Sequence, residues 1–266
     1  MHRNRLYLLF AFLGFTLLVL LVWGALAWVL PRALWNEEPD VYATLISRRV
    51  TPTARGASAP PPTATPNRAA VARALVEGDW QDRVAMASSL ATRQEIPASE
   101  RATMLLSALE QEVNHPTGAP QPATSYLSTS SRIRIALAES LSGLGPEGLA
   151  VWQQAATVKT GAVREWIVVG LGCAGLPEVA PSLRELLRKS ANGDARMVAA
   201  RILGTLGVRD AVPELKQALK DPFSVKVGAD ASSVNVFPVR EAAAGALEKL
   251  GVSVRRAGDA GFVVVE

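Results

Sequence analysis

A thirteen-residue pattern returns along this chain with its columns in register, and no other feature restricts the fold as much. Four copies are clear: IRIALAESLSGLG (133–145), VREWIVVGLGCAG (163–175), ARMVAARILGTLG (195–207) and VREAAAGALEKLG (239–251). A weaker one, DRVAMASSLATRQ (82–94), aligns without gaps but lacks the last two columns. The second column holds Arg83, Arg134, Arg164, Arg196 and Arg240, and the ninth holds Leu90, Leu141, Leu171, Leu203 and Leu247. In the clear copies the first, fifth, ninth and twelfth positions are apolar, a spacing that gathers them on one face of an α-helix. The thirteenth is Gly145, Gly175, Gly207 or Gly251, the residue that ends a helix at positive φ. Each copy therefore predicts one amphipathic helix with a built-in stop.

A second helix follows each stop. It is opened by Pro146-Glu147, by Pro177 with Pro181, and by Asp210 with Pro213-Glu214; proline suits a first turn because its missing N–H has no partner there. Leu183 and Leu187 match Leu215 and Leu219, so the register extends through the second helix, and the unit reads as helix, Gly turn, helix. The Gly stops lie 30, 32 and 44 residues apart, the last interval lengthened by an insertion at 222–237. A hairpin of this length cannot bury its own apolar face, but stacked neighbours can bury each other's. The expected fold is all-α: a right-handed superhelical stack of about five helical hairpins over residues 68–266. The weak first copy is expected to cap the stack against water.

These residues resemble the HEAT family, in particular the short repeats of the phycobiliprotein-lyase kind. Val163-Arg164 and Val239-Arg240 match the start of that pattern, Ala199-Ala200-Arg201-Ile202-Leu203-Gly204 its middle, and Asp210-Ala211-Val212-Pro213-Glu214-Leu215 its second helix. The resemblance covers residues 131–251 well and 68–112 loosely. It implies a HEAT/ARM-like α-solenoid used as a binding scaffold, and, since some relatives act on chromophores, an alternative role as a lyase-like or chromophore-loading helper.

The first quarter of the chain differs in character. Leu6 to Leu30 is a run of twenty-five uncharged residues; at about 1.5 Å per residue a helix of that length reaches roughly 37 Å, enough to cross a bilayer core. Residues 1–30 are thus expected to be a cytoplasmic stub and transmembrane helix, with Tyr7 and Trp23, Trp28 and Trp35 at the interfaces. Ala25-Leu26-Ala27 has the small-x-small form of a signal-peptidase site, but the apolar run is longer than a cleaved signal needs, which favours an uncleaved anchor. Arg3 and Arg5 before the span keep the N-terminus in the cytoplasm, so the rest is expected outside, on a single-pass plasma-membrane protein. Residues 31–67 are a juxtamembrane segment and a linker punctuated by Pro52, Pro60, Pro61, Pro62 and Pro66, which is extended and cannot form a core.

Charge and composition exclude several functions. The formal charge is +4, but the N-terminal quarter carries most of it and residues 68–266 hold only +1. Such a domain lacks the positive field that nucleic-acid binding needs. With Cys173 as the one cysteine and His2 and His115 as the two histidines, no disulfide framework and no metal site is expected. No paired carboxylates, nucleophile–base pair or Gly-rich phosphate loop stand in a recognisable motif, so no cofactor and no catalysis are expected. Cys173, on an apolar helix without a His or Lys beside it, reads as an inert thiol.

What remains is binding. The Arg column is expected to be structural, bonding carbonyls or acids such as Asp82 and Asp194 between repeats. Candidate partner contacts lie where the pattern is interrupted: Tyr126 and Leu127 in the stretch 113–130, and Val225, Val227 and Phe237 in the insertion 222–237, whose valines alternate as in a small hairpin. Trp152 is added as a hot-spot residue type, whereas Trp166 reads as core. The tail, with Val252 and Val254 before Gly258 and Phe262-Val263-Val264-Val265 after it, predicts a C-terminal β-hairpin pairing with that of the insertion into one small sheet. A protein partner is expected, with self-association as a further possibility.

Overall fold

The computed structural model describes residues 68–118, 125–228, 233–258 and 261–265. The expected transmembrane helix at 6–30, the juxtamembrane segment and the linker lie outside the described residues. Among the described residues no helix is long and apolar enough to cross a membrane.

The described chain is mostly helical, with two small strand pairs. Its helices are α1 (Arg68–Glu77), α2 (Trp80–Leu90), α3 (Ala98–Asn114), α4 (Thr129–Glu139), α5 (Gly145–Val158), α6 (Gly161–Cys173), α7 (Ala180–Lys189), α8 (Gly193–Thr205), α9 (Val212–Ala218) and α10 (Pro238–Lys249). Polar side chains start three of the even-numbered ones. Asp79 accepts from Asp82 N at 2.9 Å, Ser128 from Ser131 N at 3.1 Å, and Asn192 from both Asp194 N and Ala195 N, satisfying amides that the helix itself cannot.

The stops work as sequence chemistry dictates. Gly145, Gly175, Gly207 and Gly251 have φ of 69°, 85°, 69° and 82°. After the last three, the following amide reaches back into the helix: Leu176 N to Leu171 O at 3.3 Å, Val208 N to Leu203 O at 3.1 Å and Val252 N to Leu247 O at 2.9 Å. That is the Schellman closure. After Gly145 the next residue is Pro146, which has no N–H to give, and α4 instead tightens into a 3-10 turn over Ser140–Gly143.

Packing corrects the phase of the repeat unit. The helices pair as α1 with α2, α3 with α4, α5 with α6, α7 with α8 and α9 with α10. Across the other connections α6 and α7 pack more lightly than these pairs, and α2 and α3, α4 and α5, and α8 and α9 barely meet. Five helical pairs stand among the described residues, but the Gly turn connects one pair to the next and does not sit inside the pair. The weak first copy is not the end of the described stack either, because α1 precedes it and packs on both α2 and α3.

The pairs stack in two layers. The even helices run unbroken, α2 on α4, α4 on α6, α6 on α8 and α8 on α10. This layer buries the apolar columns: the five Leu of the ninth column are all 2% exposed or less. Removing such a side chain from water stabilises by about 1.5–3 kcal/mol. In the odd layer α1 meets α3, α3 meets α5 and α7 meets α9, but no comparable packing joins α5 to α7.

Strands β1 (Val225–Val227) and β2 (Val234–Val236) form one antiparallel pair, and β3 (Val254–Ala257) and β4 (Gly261–Val264) another. The single joint sheet expected from the alternating valines is not formed; each hairpin stays two-stranded. The second packs on α10, where Arg256 bonds Glu241 at 2.6 Å.

Candidate functional site

The Arg column forms one repeated structure. Each guanidinium stands in the first turns of an even helix and reaches a main-chain carbonyl at or just beyond the end of the preceding odd helix. Arg83 Nε donates to Leu75 O at 2.8 Å, Arg134 Nη2 to Glu112 O at 3.3 Å and Arg164 Nε to Ala156 O at 3.2 Å. Arg196 Nη1 donates to Ser190 O at 2.7 Å and Arg240 Nε to Asp221 O at 2.7 Å. Helix C-termini leave carbonyls without partners and carry partial negative charge, so a cation placed there is doubly favoured. The column staples the two helices of each pair.

Carboxylates complete two of the staples. Glu112 and Arg83 meet at 2.7 Å with side chains 1% and 5% exposed, and Thr117 donates to Glu112 through both its amide and its hydroxyl at 2.8 Å. Burial opposes ionisation of Glu112, but Ser130, the Thr117 hydrogen bonds and the Arg83 charge hold its carboxyl below the usual range. Asp221 takes Arg196 in a two-pronged contact at 2.8 Å for each nitrogen. Of the two acids expected from the sequence, only Asp194 lies near column arginines, Arg134 and Arg196. Asp82 is absent from the Arg contacts, and Asp194 accepts a short hydrogen bond from Ser131 Oγ. Burial raises the Asp194 carboxyl against the pull of Ser131, Arg134 and Arg196. Arg101 carries no signal in the repeat because it lies on an odd helix, outside the column; it caps α2 through Leu90 O and Ala91 O, both at 2.8 Å.

Arg164 departs from its column. Its side chain is exposed, unlike the other four. The odd helices are tied in two groups: Arg68 to Glu100 at 3.2 Å and Lys159 to Glu110 at 2.8 Å hold α1 and the end of α5 to α3, and Arg184 to Glu214 at 2.7 Å holds α7 to α9. Trp152 adds to the first group through Nε1, which donates to Ala102 O at 3.0 Å. Among the described residues no such tie joins α5 to α7. At the ends of these helices stand Val158 of α5, 69% exposed, and Arg188 and Lys189 of α7, with Glu185 bonded to Lys189 at 3.0 Å and Glu165 of α6 accepting from Ser190 Oγ at 2.7 Å.

The expected partner contacts fare unevenly. Leu127 is 3% exposed and Trp152 is fully buried, so neither offers a surface: Leu127 packs into the core beside the start of α4, and Trp152 lies against Gly170 of α6. Tyr126, Val225, Val227 and Phe237 are half-buried, Phe237 lying under the Arg240 guanidinium at 3.9 Å. Val225 and Val227 lie on β1, Phe237 directly follows β2, and Tyr126 precedes α4.

Titratable groups elsewhere are few. Burial pushes the Cys173 thiol up, with Glu139 adding and Arg201 opposing, so the sulfur is protonated at neutral pH. Glu139 itself is raised to about 7 by burial against the attraction of Arg201. Among the described residues no group of three His, Cys, Asp or Glu is placed to hold a metal ion. A shallow depression lined by Glu248 and Gly251 to Val254 is open to solvent. No protein-family model matches the chain, and no curated protein matches it.

Proposed function

We propose that this chain is a membrane-anchored protein-interaction scaffold: a HEAT-like α-solenoid, held by residues 6–30 on the extracytoplasmic side of the plasma membrane, that binds another protein and performs no catalysis. One observation carries the reading. The even helices bury most of the apolar columns, and the odd helices carry an exposed polar surface, on which Thr103, Ser107 and Gln111 of α3, Gln153 and Thr157 of α5, Arg188 of α7 and Lys216 of α9 stand. Polar, adaptable side chains on a rigid stacked frame suit recognition of a macromolecule. The anchor rests on the uncharged run at 6–30 and the linker on its prolines.

Affinity capture of the full chain from solubilised membranes, followed by mass spectrometry, tests this. The expected result is one protein enriched at near-stoichiometric yield. A chain that co-purifies with a chromophore and no protein would support the chromophore-loading role instead.

A further inference from the structure

Strand β4 presents an open edge whose hydrogen-bonding groups can be placed residue by residue. The register pairs Val254 with Val264, Arg255 with Val263, Arg256 with Phe262 and Ala257 with Gly261, and just beyond it Val265 N donates to Ser253 O at 2.9 Å. In an antiparallel ladder, pairs that exchange main-chain bonds alternate with pairs that do not. The bond from Val265 to Ser253 therefore sets the phase: Gly261 and Val263 turn their main-chain groups toward β3, and Phe262 and Val264 turn theirs away from it. Among the described residues no third strand receives them.

The other strands are guarded against pairing and β4 is not. Native sheets blunt an open edge with charge or with proline. Strand β3 carries Arg255 and Arg256, β1 carries Lys226, and β2 runs into Pro238 just past Phe237. Strand β4 reads Gly-Phe-Val-Val, without a charge or a proline. Its hairpin packs on α10 through the face of Arg256 and Phe262, whose ring lies 5.1 Å from the Arg256 guanidinium, the group that bonds Glu241 of α10. The opposite face shows Val263 and Val265, 40% and 49% exposed.

The outward groups at Phe262 and Val264 are symmetric about Val263. Two copies of β4 laid antiparallel about that residue set Phe262 of one opposite Val264 of the other, and each such pair exchanges N–H and C=O in both directions. One surface then serves both copies, as a two-fold contact requires, and an uncharged strand meets its own copy without repulsion. The pairing also joins two ribbons, each marginal alone in water, into one larger sheet. We propose that this chain forms a two-fold dimer by antiparallel pairing of β4 with β4 of a second copy, centred on Val263. The dimer goes beyond the scaffold reading and does not depend on it.

Cysteine cross-linking of the full chain in mild detergent tests the register. About Val263 the two copies of that residue stand as a non-hydrogen-bonded pair with Cα atoms about 4.5 Å apart, within reach of a disulfide, whereas the two copies of Val265 stand roughly 14 Å apart. Under mild oxidation Val263→Cys is expected to give a covalent dimer, and Val265→Cys, although at least as exposed, is expected to give little. The wild type, whose one cysteine is Cys173 on α6, is expected to give none. Sedimentation supplies the second readout. Val263→Lys or Val263→Glu alone sets like charges side by side and is expected to weaken self-association roughly tenfold or more, with an unchanged circular dichroism spectrum, while a mixture of the two variants is expected to recover it. Equal cross-linking at 263 and 265, no cross-link at 263, or charge variants that associate as tightly as the wild type would overturn the pairing.

Discussion

Arg83 and Glu112 show how far a single position can set the stability of this fold. Their contact is almost fully buried, so removing one partner strands a charge in the core. Arg83→Ala is expected to destabilise by about 3–5 kcal/mol in urea unfolding, while Arg83→Met with Glu112→Leu, which removes both charges, is expected to recover most of that loss. Glu139 gives a pH dependence of definite sign. Its carboxyl stands at about 7 when folded against an ordinary value of 4.5. Between those values the folded chain keeps a proton that the unfolded chain has released, so stability falls as pH rises through the window and levels off above it. The full effect is at most about 3 kcal/mol. Thermal unfolding at pH 5 and pH 8 is expected to show the wild type weaker at pH 8, and Glu139→Gln is expected to remove most of the difference; an unchanged difference in the variant would place the titration elsewhere. Glu112, whose carboxyl is lowered, acts in the opposite sense and only as pH falls below the ordinary carboxylate range.

Helix ends and helix contacts decide what glycine does at each place. Gly207 has φ of 69°, where a Cβ costs about 1–2 kcal/mol. Gly245 lies within α10 at no positive φ, with open space where a methyl group would stand, so alanine there is expected to stabilise by about 0.5–1 kcal/mol. Gly207→Ala and Gly245→Ala should therefore move the unfolding midpoint in opposite directions. The stops and the Leu column are legible in the sequence because each is a local rule: a positive-φ closure, and an apolar stripe on one helix. The phase of the pairing is not, since a repeat fixes the length of a unit and leaves its starting point open. Which side of the Gly turn packs depends on the Arg staples, and those join residues on different helices. Trp152 resembles a contact residue in the sequence for a related reason. Its burial depends on Gly170, a small residue on the next helix that makes room for the ring, and no single window contains both. Alternating valines likewise mark strands without naming their partners, which is why two separate hairpins replace one sheet. The missing contact between α5 and α7 leaves no mark in the pattern.

At the scale of the molecule, five stapled helical pairs share one apolar layer through their even helices, while their odd helices divide into two groups. Cooperative units in such a stack follow the contacts that cross between repeats. Native-state hydrogen exchange on the full chain, read by mass spectrometry, tests this division directly. Helices α2, α4, α6, α8 and α10 are predicted to exchange last and together, and the last turn of α5, where α7 does not pack, to exchange sooner than the body of α3. Even helices that lose protection one by one at unrelated rates, with α5 as protected as α3, would contradict it.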